Sequence, residues 1–253
     1  MIREDDYIFR ESQPPQGLAD FVKYCWYVHN PGEKEHHFTI FPDGHFDLLF
    51  RSRNGSPFTA VLSGIFTKEF SCVVPPASLI FGVSFRLPAA EYIWKRKIGD
   101  ITDREEPLPA GFWKDVAALP FDFSLYAARI MTLLQQQITK PTDPRKQQLF
   151  RLLYGSNGNI SVEEAAETCY WSTRQINRYF AGHFGMSFKA FSNILRYRAS
   201  FEQLKQGNLY PEQPYADQAH FIREVRKYSG ITPKEIAANK NGGFIQLSTL
   251  REN

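Results

Sequence analysis

The sequence predicts an α+β protein: an N-terminal, mainly antiparallel β module with helices, followed by an all-α C-terminal domain built as a double helix–turn–helix. Three observations predict it. Residues 1 to about 110 are written in short apolar and aromatic runs separated by Gly, Pro and Asn. From residue 145 apolar residues recur at three- and four-residue steps behind Ser and Asp caps. The charge divides the same way: residues 145–240 hold 14 Lys and Arg against 8 Asp and Glu, net +6, and residues 1–144 hold 15 against 18, net −3, inside a whole-chain value of +3.

At 253 residues the chain has room for two domains with cores, and 43% hydrophobic with 23% charged residues is an ordinary globular composition. The opening "MIREDDYIFRESQPPQ" is acidic and broken by Pro14 and Pro15, which suits neither a signal peptide nor a membrane span. No apolar run approaches the ~20 residues that a span needs, so a cytoplasmic location and no membrane partner are expected. Cys25, Cys72 and Cys169 lie far apart and are odd in number, which points to reduced thiols rather than a disulfide framework.

The first module is assigned to residues 1–120. Its strands are carried by "FVKYCWYVH", "HHFTIFP", "FDLLFR" and "SLIFGVSFRL", rich in the aromatic and β-branched residues that fit a pleated surface. Pro88 then opens a helix, "PAAEYIWKRK". His36, His37 and His45 lie near Asp43 and Asp47, but adjacent His36 and His37 alternate faces on a strand, so neither a metal nor another cofactor is expected. A Gly-rich phosphate loop, a nucleophile elbow and a helical His-x-x-x-His pair are all absent from the sequence, and no catalytic residue is assigned. Trp26, Tyr27, Phe41, Phe85 and Trp94 are candidate walls of a small-molecule pocket with Arg86 as an anion anchor; the same residues also suit an ordinary core, with Arg86 paired to a local carboxylate.

Residues 121–144 form a helix and a Pro-rich linker. In "FDFSLYAARIMTLLQQQI" Asp122 is placed to cap, and Leu125, Ile130, Leu133, Leu134 and Ile138 make an apolar stripe that either packs on its own domain or pairs with a second chain in a homodimer. After "TKPTDP", Asp143 and Pro144 cap and open the first helix of the domain at 145–240, and residues 241–253 read as a flexible tail.

Within that domain, Ser161 with Glu164 forms a capping box ahead of Ala165 and Ala166. Cys169, Tyr170 and Trp171 interrupt the helix. Ser172 caps the next one, whose Ile176, Tyr179, Phe180 and Phe184 form an inward stripe ending near Gly185. Arg174, Asn177 and Arg178 stand at i, i+3 and i+4, so they are expected to project together, arginine suiting guanine and asparagine adenine. A second phrase, "DQAHFIREVRKYSGITPKEI", repeats the plan, with Asp217 as cap, Phe221 and Val225 inward, and Arg223 and Arg226 outward. Double-stranded DNA is therefore the expected partner.

"STRQINRYFAGHFGMSFKAF", "LRYRASFEQLKQG" and "DQAHFIREVRKYSGITPKE" resemble successive signatures of the AraC/XylS transcriptional regulators over roughly residues 145–238. The resemblance implies two helix–turn–helix units joined by a long helix, here capped by Ser187 and running through Phe188, Phe191, Leu195, Ala199 and Leu204 to Gly207. It places Arg174, Asn177 and Arg178 on base-facing positions of the first unit and Ala219, Ile222 and Arg223 on those of the second. Ser172, Thr173, Lys189, Arg226 and Lys227 are the backbone contacts expected on this plan. Where the family has a supporting helix, this chain has "NLYPEQPYA", whose Pro211 and Pro214 require that helix to be shortened or remodelled. In the N-terminal module, "FPDGHFDLLF", "GVSFRLPAAEYI" and "DITDREEPL" resemble a domain found in a subgroup of AraC-like regulators with mostly undefined ligands, which implies a small-molecule effector and control through that module.

Overall fold

A computed structural model describes residues 7–113, 116 and 122–238. The residues divide into two compact units. One comprises the chain up to His36 with His45–Ile65 and Val73–Thr142; the other comprises His37–Gly44, Phe66–Cys72 and the chain from Asp143. Residues 37–44 and 66–72, expected in the N-terminal module at 1–120, cluster by their contacts with the helices instead. The boundary placed at 120/121 and the tail at 241–253 lie outside the described residues.

The first unit is built on a six-stranded antiparallel sheet. Its strands are β1 (Ile8–Ser12), β2 (Val22–Asn30), β4 (Phe46–Arg53), β5 (Thr59–Ser63), β7 (Ser78–Phe85) and β8 (Glu105–Pro107), in the order β1-β2-β7-β4-β5-β8. β3 (His36–Ile40) and β6 (Phe70–Val74) form a separate pair. β1 was not expected, because its Arg and Glu disguise a five-residue edge strand inside a polar segment. Alternation along the strands puts Cys25, Tyr27, Phe46, Leu48, Phe50, Phe81, Val83 and Phe85 on one face, and all are buried. Phe46 and Phe85 are directly opposed and stacked, 5.1 Å apart.

That face is covered by α2 (Phe123–Gln137), which follows the short α1 (Pro88–Tyr92). Pro88 opens α1 as expected, but the helix ends at Tyr92, ahead of Lys95 in the left-handed region at φ 54°. Asp122 caps α2 by accepting from the Leu125 amide at 2.8 Å. Phe123 meets Tyr27 and Phe81, and Tyr126 meets Phe58 and Phe81. Of the anticipated stripe, Ile130 and Leu134 are buried, while Leu125 is 48% exposed and Ile138 lies past the last turn. Tyr126, Ala127 and Met131 complete the inward face.

The second unit carries α3 (Pro144–Gly155), α4 (Val162–Cys169), α5 (Thr173–Phe184), α6 (Phe188–Ala199), α7 (Phe201–Lys205), α8 (Gln218–Ser229) and α9 (Pro233–Ala238). Its aromatic core gathers Phe150, Phe180, Phe184, Phe188 and Phe191. The joining element is not one helix. Ser200 separates α6 from α7, its hydroxyl donating to the Arg196 carbonyl, a back-bond that bends helices. The chain therefore turns between Ala199 and Leu204 rather than continuing one stripe. Residues 206–217 hold no helix, as the prolines required.

Candidate nucleic-acid interface

The first helix–turn–helix is set by local signals. Glu164 accepts the Ser161 amide at 2.8 Å while the Ser161 hydroxyl accepts the Glu164 amide at 3.1 Å, closing the capping box of α4. These bonds hold the Glu164 carboxyl below its ordinary range, the backbone amide of Ser161 being the main cause. α4 ends at Tyr170, a non-glycine residue at φ 54° with 89% of its surface exposed. Trp171 then turns back to meet Tyr179 edge-on, with the Arg145 guanidinium 5.5 Å from its ring. Ser172 and Gln175 form a second capping box, and Gly185 at φ 71° ends α5.

Arg174 and Arg178 are exposed one turn apart on α5, opposite buried Ile176, Phe180 and Phe184. Asn177 does not project with them. Its side-chain amide donates to the Thr173 carbonyl at 3.2 Å, and its oxygen accepts the Phe188 amide at 3.4 Å, so it holds the start of α6 against α5. The i, i+3, i+4 spacing places Asn177 beside the arginines, but its short side chain is captured by a free amide at a helix start. Ser172 is exposed, yet its amide and hydroxyl are already engaged by Gln175. Thr173 is half-buried and Lys189 is exposed at the second position of α6.

In α8, Asp217 accepts the His220 amide at 2.6 Å, and Phe221, Val225 and Tyr228 are buried. Ala219, Ile222, Arg223, Arg226 and Lys227 are exposed, Ile222 at 37%. Lys227 is partly committed, lying 3.4 Å from Glu224 and 3.3 Å from the Tyr228 hydroxyl. Arg196, not among the expected site residues, donates to Gly158 O at 3.4 Å and Pro214 O at 3.5 Å, tying the loop before α4 to the loop before α8. Its spacing on α6 offered no signal, because both partners are backbone carbonyls distant in sequence.

None of the six candidate pocket residues lines the cavity of about 870 Å³ found in the first unit. Phe85 and Trp94 meet edge-on at 5.8 Å. Trp26 lies flat over Gly82, where a Cβ would come within 2.2 Å of its ring, and donates to Ser84 at 3.1 Å; Ser84 in turn bonds Asp47. Tyr27, next to Trp26 on β2, faces α2 instead. Phe41 belongs to the helical unit, and Arg86 is half-buried. That cavity lies elsewhere, between α2 and the Ser12–Pro15 segment. Among the described residues no three His, Cys, Asp or Glu groups come together to hold a metal, and no helix is long and apolar enough to cross a membrane.

Residues 10–107 match the family model of a domain of unknown function, DUF6597. A search of curated proteins returned no match. Among solved structures, the chain is similar to ToxT of Vibrio cholerae: one structure matches at 10% identity and a TM-score of 0.41, over 97% of this chain and 98% of that one. Unsaturated fatty acid bound wild-type ToxT matches at 13% identity and a TM-score of 0.43, over 95% and 99%.

Proposed function

We propose that the chain is a non-catalytic, sequence-specific DNA-binding transcriptional regulator whose affinity for a promoter is controlled through its N-terminal module. The observation that carries the reading is the pair Arg174 and Arg178: exposed, without an ion-pair partner among the described residues, and presented by a helix whose two ends are fixed by a capping box and a left-handed glycine. Two arginines in that setting suit the O6 and N7 acceptors of guanine in a major groove. Asn177 takes a positioning role, fixing the angle between α5 and α6. Arg223 and Arg226 on α8 suit phosphates, with Ala219 and Ile222 able to offer only apolar contact.

Control then works by population shift. A small molecule or a second copy of the chain at the N-terminal module favours one arrangement of the regulator, and DNA favours the same or the other; the coupling is reciprocal. The test is selection of DNA from a random pool by the full chain, repeated over a salt series. A shared motif that Arg174→Ala loses, at a cost of about 1–3 kcal/mol, supports specific reading. Salt-sensitive binding without a motif leaves only a basic domain that holds phosphates and overturns it.

A further inference from the structure

The cavity of about 870 Å³ in the first unit has a definite chemistry. One wall is a single stripe of α2: Phe123, Ala127 and Met131 lie deep, and Ser124, Ala128 and Thr132 stand beside them toward the open side, each set repeating every four residues. Continued through Gln135 and Gln136, the stripe runs about 20 Å along the helix. The opposite wall is Ser12, Gln13, Pro14 and Pro15, and the floor is Cys25, directly opposite Ser12 across β1 and β2. None of the described residues lining this space carries a charge. Its polar groups are hydroxyls and carboxamides, able both to donate and to accept. Burial pushes the Cys25 thiol well above its ordinary range, so the floor presents a protonated, apolar sulfur rather than a thiolate.

We propose that this groove is a binding site for an uncharged, elongated amphipathic small molecule, with an aromatic or aliphatic body and a neutral hydrogen-bonding edge. The volume is that of a small-molecule site, and the division into apolar floor and amide rim is what such a ligand meets. An anion finds no cation here, and a cation finds no carboxylate; either would be desolvated without compensation. The site rests on the reading that the N-terminal module senses an effector, and it names the chemistry of that effector. It also gives the effector a lever. The helix that forms the long wall ends at Gln137, and the chain enters the helical unit at Asp143, so whatever shifts α2 acts at the root of that connection.

The test titrates the full chain with N-phenyl-1-naphthylamine, a neutral dye, and with 8-anilino-1-naphthalenesulfonate, the same ring system bearing a sulfonate. Saturable binding of the neutral dye at about one site per chain is expected, with the anion at least tenfold weaker. Ala128→Trp, at an exposed groove position, should weaken the neutral dye at least tenfold while melting like the parent; Leu125→Ala, exposed off the groove, should leave it unchanged. Thr132→Lys should shift the preference toward the anion. No saturable binding, equal binding of both dyes, or binding indifferent to Ala128→Trp overturns the site. So does a chain that is dimeric as the parent and monomeric as Ala128→Trp without taking up dye, since the groove then belongs to a second copy. The DNA selection is read separately through Arg174→Ala, so dye bound without a DNA motif refutes the regulator, and a motif without dye refutes only the groove.

Discussion

Phe41 meets Tyr197 edge to face, ring centroids 6.3 Å apart and planes at 74°, and meets Phe201 in the same way at 5.9 Å. All three rings are buried, and Gly44 closes the contact, since a Cβ there would fall 2.8 Å from Leu195. A segment of the N-terminal half of the sequence is thus part of the core of the helical unit, at the junction of α6 and α7. Phe41→Ala should destabilise that unit by about 3–5 kcal/mol, the usual cost of emptying an aromatic site. Urea unfolding followed by far-UV circular dichroism measures it. A loss below about 1 kcal/mol would mean that Phe41 only rests on the helices.

Tyr170 holds a left-handed backbone conformation that costs an ordinary L-residue about 1–2 kcal/mol, and with 89% of its surface exposed it recovers little by packing. Tyr170→Gly should therefore stabilise the chain by about 0.5–1 kcal/mol, the relief of strain exceeding the entropy that glycine brings to the unfolded state. Gly185→Ala, at φ 71° on the end of α5, should do the reverse by a similar amount. Paired denaturant midpoints decide. Equal midpoints for Tyr170→Gly and the parent would show that the phenol makes a compensating contact.

The helix starts of this fold were legible because a cap is a local device. Asp122, Asp143, Ser161, Ser172, Ser187 and Asp217 each accept an amide two or three residues ahead, and each was readable from its own sequence window. What escaped is what depends on distant partners. Asn177 reads as an outward side chain until Phe188, eleven residues on, supplies an amide for it. The six aromatic and basic pocket candidates do not share one face, since Trp26 and Tyr27 point to opposite faces of one sheet and Phe41 belongs to the other unit. The groove beneath α2 combines a proline turn with a helix more than a hundred residues later, and no spacing rule connects them.

Gln203 orders the helix-free segment ahead of α8 with side-chain bonds. Buried at 2% exposure, its amide donates to Tyr210 O at 2.8 Å and Asn208 O at 3.4 Å, and its oxygen accepts the Glu212 amide at 3.0 Å. Gln203→Leu keeps the bulk and strands these backbone groups, so a cost of about 2–3 kcal/mol is expected. Hydrogen exchange should locate it, with faster exchange of the Glu212 amide and unchanged protection in α5. Uniform loss of protection across the unit would instead make Gln203 an ordinary core residue.

Among the described residues, two of the three capping boxes in the helical unit should make stability depend on pH, and the third should not. Glu164 accepts the Ser161 amide and Glu235 accepts the Thr232 amide at 2.7 Å; both carboxyls are held below their ordinary 4.5, first of all by those backbone bonds. A carboxyl whose pKa is lower folded than unfolded contributes stability that is full above 4.5 and is lost as pH falls through the folded value, because the unfolded chain takes up the proton first. Gln175 does the same work for α5 without a charge. Glu164→Gln with Glu235→Gln should therefore keep the caps and cost little at neutral pH, while reducing the fall in melting temperature between about pH 5 and pH 3. Melting curves of parent and double variant across that range test it; an identical fall in both would mean that other carboxylates carry the acid sensitivity of the chain.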